Sequence, residues 1–81
     1  MKRYYFDLRD GDDLASDKEG IELPDIEAVQ HEAARSLADI ARDAVRGLPT
    51  NADGRRMAIE VRDDAGPVLQ ARFTFEIDRN R

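Results

Sequence analysis

Ile26, Val29, Ala33, Leu37, Ile40, Ala44 and Leu48 recur every three or four residues, which makes one stripe of a helix apolar for about six turns. On both sides of this stretch the pattern changes to alternation with a period of two, the signature of strands with one buried face. A chain with one amphipathic helix between two alternating segments buries both apolar surfaces at once by laying the helix on one face of a sheet. With 81 residues there is material for a single core. The fold expected is therefore α+β, one domain over residues 1–81, built as a two-layer ββαββ sandwich with an antiparallel sheet.

The details follow from local chemistry. Tyr4, Phe6 and Leu8 share one side of the first strand, with Arg3, Tyr5, Asp7 and Arg9 on the other. Asp10-Gly11-Asp12-Asp13 supplies a turn, because glycine tolerates positive φ and aspartate bonds to nearby backbone. The return segment from Leu14 to Leu23 is thinly apolar and interrupted by Asp17-Lys18-Glu19-Gly20, which predicts an irregular, charge-blunted edge strand. Pro24-Asp25 opens the helix, with Asp25 as N-cap and Glu27 in the first turn, and Gly47 closes it. Leu48 to Arg55 collects turn residues and reads as a loop. Met57, Ile59 and Val61 alternate in the next strand, Asp63-Asp64-Ala65-Gly66 turns the chain, and Leu69, Ala71, Phe73, Phe75 and Ile77 line the inner side of the last.

Charge is unevenly placed. Residues 7 to 27 hold nine acids against Arg9 and Lys18, a local net of −7, whereas the whole chain carries −5. That balance argues against non-specific nucleic-acid binding, since a phosphate backbone repels most of this surface. No cysteine is present, which removes disulfides and thiolate chemistry together. Met1-Lys2-Arg3 precedes only three aromatic residues, far short of a signal-peptide core, and no stretch has the length of a membrane span. A cytoplasmic setting with no membrane association is the expectation.

The acidic segment does not fit a calcium loop: counted from Asp7 or Asp10, the alternate ligands, central glycine and closing glutamate fall out of place. His31 has Glu27 four residues before it and Ser36 five after, on a different face, and reads as a surface histidine. The glycines are isolated, so no phosphate-cradling loop forms, and scattered carboxylates in an acidic chain carry no glycosidase signal. No catalytic, metal or cofactor residues are assigned, and the chain is expected not to be an enzyme. The open face of the sheet is the stronger candidate for function, with Arg3, Tyr5, Arg9, Arg62 and Arg72 projecting from it. Arginine and tyrosine are enriched at protein interfaces, whereas RNA-binding sheets stack bases on several aromatics and only Tyr5 is offered. Asp13, Glu19 and Glu22 complete the candidate surface as the acids that turn and cap roles leave over. The partner expected is a protein or a second copy, the latter as a homodimer formed through the sheet.

Three motifs in order, Arg-Tyr-Tyr-Phe-Asp-Leu-Arg-Asp-Gly from Arg3, Asp-Lys-Glu-Gly-Ile-Glu-Leu-Pro-Asp from Asp17 and Ala-Ile-Glu-Val-Arg-Asp-Asp-Ala-Gly-Pro-Val from Ala58, resemble a family of short uncharacterised proteins frequent in rhizobia and related α-proteobacteria. That resemblance implies a bacterial cytoplasmic protein and assigns no catalytic residues. From Tyr4 to about Ala44 the chain is also similar to HicB-type antitoxins, in its Tyr-rich hairpin, Leu-Pro-Asp turn and Ala-rich helix. It departs from them in lacking a clear third strand before the helix and a DNA-binding segment. This second resemblance implies an alternative function, an inhibitor whose acidic surface occludes a basic nucleolytic partner.

Overall fold

The alternating segments form strands and the apolar stripe forms a helix, in the order β1 (Lys2–Asp10), β2 (Asp13–Ala15), β3 (Ile21–Leu23), α1 (Ile26–Arg46), β4 (Gly54–Asp63) and β5 (Gly66–Glu76). The structure, a computed structural model, describes residues 1–46 and 54–76. The expectations for Gly47 and Leu48, for most of the loop from Leu48, and for Ile77 lie outside the described residues. Gly54 and Arg55, expected in that loop, belong to β4, where they pair with Glu76 and Phe75 of the long last strand.

The sheet is antiparallel throughout, in the order β2-β1-β4-β5, and β3 also pairs with β1. Leu8 faces Ala15 and Tyr4 faces Ile21, so β2 and β3 run along the same edge of β1 as two pieces of one interrupted strand. This is the irregular edge anticipated from the charged interruption. The opposite edge belongs to β5, whose inner side is hydrogen-bonded to β4 and whose outer side faces no strand among the described residues. A bulge between Val61 and Arg62 lets Arg62 oppose Pro67 rather than Val68, which places Pro67 and its missing N–H near the start of this edge strand.

The helix begins where its chemistry says it should. The Asp25 carboxylate accepts a hydrogen bond from the Ala28 amide at 2.8 Å, satisfying one of the unpaired N–H groups of the first turn. Of its buried residues, Val29, Ala33 and Leu37 pack on Tyr4, Met57, Ile59 and Val61 of the sheet, with Phe6, Leu8, Leu69 and Phe73 half-buried around them, and Ala41 lines the groove between α1 and β5. Ile26, expected at the head of the apolar stripe, is instead 49% exposed, and the buried row begins one turn later at Val29. On the outer surface Glu32, Arg35, Asp39 and Arg42 form a chain of ion pairs at 2.6 to 3.8 Å, at the three- and four-residue spacings of helical neighbours.

Candidate functional site

On the face turned away from α1, register sets Tyr5, Asp7 and Arg9 against Arg62, Glu60 and Ala58, with Arg3 earlier on β1 against Glu22, and it sets Glu60, Ala58 and Arg56 against Gln70, Arg72 and Thr74. The five open-face candidates therefore do share one surface. Most of their polar capacity is already used within the molecule. Arg9 donates to both oxygens of Glu60, at 2.6 and 3.3 Å, and this hydrogen-bonded carboxylate holds the guanidinium above its ordinary pKa. Gln70 donates to the same carboxylate at 3.4 Å. Arg3 donates to the Glu19 carbonyl at 2.6 Å and lies 3.7 Å from the Glu22 carboxylate.

Arg62 is the most heavily engaged of them. Its guanidinium donates to the Asp7 carboxylate at 2.9 Å and to the Asp17 carbonyl at 2.9 Å, and sits 4.5 Å from the centre of the Tyr5 ring. Asp7 is only 7% exposed, which an unpaired carboxylate would not tolerate; it also accepts from the Asp17 amide at 2.9 Å. Asp17 extends the network by filling the gap between β2 and β3. Its carboxylate accepts from the amides of Phe6, Glu19 and Gly20 at 3.1 to 3.2 Å, so the strand-edge N–H of Phe6 bonds a side chain where a neighbouring strand is missing. Burial pushes the Asp17 carboxyl up, but these three amides and Arg62 together outweigh it and leave the pKa below the ordinary value. Gly20 completes the fit: at φ +72° it approaches so closely that a Cβ there would lie 2.9 Å from Arg3 Cγ and 3.0 Å from the Tyr5 ring.

This edge is closed. Its strands are three residues long, its gap is bridged by Asp17, and Asp12, Asp13, Glu19 and Glu22 stand exposed along it, which are the devices by which proteins blunt a sheet edge. Asp13, Glu19 and Glu22 therefore lie on or beside the β2–β3 edge, which meets the arginine-bearing face at Arg3 through Glu19 and Glu22. Sequence reasoning missed the part of Asp7, which it counted as one acid in a run of nine; its place on the outward face of the first strand was legible, whereas its nearness to Arg62 follows only from the pairing of β1 with β4.

The β5 edge is built differently. Beyond Pro67 it runs from Val68 to Glu76 with no proline, glycine or lysine and with Arg72 as its one base. Beside it opens a groove of about 760 Å³ lined by α1 and β5 alone. Ala34, Ala38 and Val45 give it an exposed apolar wall and Phe73 a half-buried floor. Arg42, Arg46 and Arg72 rim it, with no acidic residue in its lining. Arg72 also borders a second depression of about 340 Å³ on the open face, shared with Arg9 and Arg56. Arg42 pairs with Asp39 at 3.1 Å, whereas Arg46, Arg56 and Arg72 have no acidic side-chain partner among the described residues.

Among the described residues no three metal-ligating side chains gather, no buried side-chain nitrogen or oxygen lacks a partner, and no helix is long and apolar enough to cross a membrane. Neither the curated proteins nor the solved structures contain a match to this chain. One family model does match, and it spans residues 3–74, so that it takes in both edges of the sheet, the helix and nearly all of β5: the chain belongs to the family described as Domain of unknown function (DUF6894).

Proposed function

We propose that this chain is a non-enzymatic binding module that joins another protein chain, a partner or a second copy, by adding a strand to the edge of β5. The observation that carries this reading is the contrast between the two sheet edges. One is short, interrupted and acidic; the other offers nine consecutive residues after Pro67 beside an apolar groove. Long unblunted edges are what strand-adding partners use, and proteins that do not use them protect them. The open face serves a different purpose under this reading: Arg3, Arg9 and Arg62 spend their donors on the molecule itself, and only Arg72 of the candidates there is left to a partner.

A photo-crosslinking residue at Thr74 tests this, with the same residue at Leu14 on the opposite edge as the comparison. Crosslinks to protein from Thr74 and not from Leu14, in cells that make the full chain, are the expected result; crosslinks from Leu14 alone, or from neither, would overturn it. The HicB-like alternative draws on the acidic edge instead. It requires a basic nucleolytic protein held through Asp13, Glu19 and Glu22, and Leu14 crosslinks to such a protein would favour it.

A further inference from the structure

The two sides of the β5 edge differ in chemistry, and a strand added there would present its residues alternately to each. Side chains directed toward α1 would meet Ala34, Ala38, Val45 and Phe73, an apolar surface. Side chains directed to the open face would lie beside Arg72 of β5, and Arg56 stands one strand further in, on β4 opposite Thr74, bordering the same depression as Arg72. Both are exposed guanidiniums without an acidic partner among the described residues. Arg46 adds a third such guanidinium at the rim of the groove. The one acid on β5 is Glu76, at its last residue. Charge across the molecule runs the same way, with acids concentrated along the β2–β3 edge and, on the β5 side, Arg72 with Arg56 of β4 and Arg46 of α1 near it, none with an acidic partner among the described residues.

Resting on the strand-addition reading above, we infer that the occupant of this edge is an extended segment of a partner protein in which acidic and apolar residues alternate, its acids toward Arg56 and Arg72 and its apolar residues in the groove against α1. A basic segment would place like charges across from Arg72 and near Arg56, which is unfavourable. A second copy related by a two-fold axis would bring both sets of arginines together, and centring that axis on Arg72 sets two guanidiniums face to face. Single-stranded RNA would find phosphate partners here, but the groove lining offers it one aromatic ring, Phe73, half-buried under α1.

The test uses the full chain and a fluorescent octapeptide alternating valine and glutamate, about as long as Val68–Phe75. The comparison probes are a valine–lysine alternation, a valine–threonine alternation, the valine–glutamate composition in block order, and an RNA oligonucleotide. Binding of the alternating acidic peptide is expected, weakening as salt is raised through about 0.3 M. Arg72→Glu and Arg56→Glu should each weaken it about tenfold, and Arg72→Lys should restore most of the loss. Both arginines are exposed and have no acidic partner among the described residues, so these variants should fold as the parent does, and far-ultraviolet circular dichroism verifies it. Equal binding of all three alternating peptides, with alternate β5 amides protected from exchange, would overturn the acidic assignment and leave strand addition standing. Block-order peptide binding as well as the alternating one would overturn the alternation. No β5 protection with any peptide, tighter binding of RNA, or a dimer of the chain alone that Arg72→Glu dissociates would each overturn the inference.

Discussion

Gly20 and Asp17 show how much of this fold depends on single atoms. Gly20 occupies φ +72° with Arg3, Tyr4 and Tyr5 within 3.0 Å of where a Cβ would stand. Gly20→Ala therefore adds a left-handed backbone penalty to a clash, and should lower stability by about 2–3 kcal/mol, measured as a shift in urea midpoint at unchanged slope. Asp17 governs the pH response of the same corner. Its folded pKa is depressed, so its contribution is fully present above the unfolded value of about 3.9 and is lost as pH falls through the folded pKa. Asp63, depressed by its hydrogen bond to Lys2 and by the Ala65 amide, acts in the same direction. Unfolding free energy should thus decline below about pH 4, and Asp17→Asn should show a shallower decline; an equal slope in both proteins would remove Asp17 from the account. Neither residue was legible in this role from the sequence. Asp17 and Gly20 read as punctuation in a broken strand, because periodicity reports faces and says nothing of which backbone amide a carboxylate will reach across a sheet.

At the scale of elements the sequence was far more informative. Tyr4, Phe6 and Leu8, Met57, Ile59 and Val61, and Leu69 and Phe73 do line the inner face, since alternation in a strand translates directly into sidedness. The helix start was also legible, because capping is local chemistry: the Asp25 carboxylate bonds the Ala28 amide as its position implied. Asp25→Ala should cost about 1 kcal/mol, seen as a lower melting temperature with the same near-ultraviolet spectrum. What the apolar stripe concealed is its width. Ala34, Ala38, Ala41 and Val45 form a second row at helical spacing beside the core row, and only Ala41 of these is buried. Alanine favours a helix on either face, so Ala34 and Ala38 carry no sidedness of their own, and the groove wall is defined only by the placement of α1 beside β5.

At the scale of the whole molecule, strand order decides which surface is left open, and no residue pattern encoded it. Placing β1 and β4 inside and β5 at the margin turns the most apolar strand into an edge, and moves the acidic segment to the far side of the sheet. The arginine face that looked most available in sequence proves to be held by its own carboxylates, because Arg9 with Glu60 and Arg62 with Asp7 are brought together only by pairing β1 to β4. The account turns on one edge being closed and the other open. Residue-resolved amide hydrogen exchange on the isolated chain measures both together. Slow exchange is expected at Phe6, Asp17 and Gly20, whose amides bond carboxylates, and fast exchange at alternate amides between Val68 and Glu76. Uniform protection along β5, or rapid exchange at Phe6, Asp17 and Gly20, would contradict it.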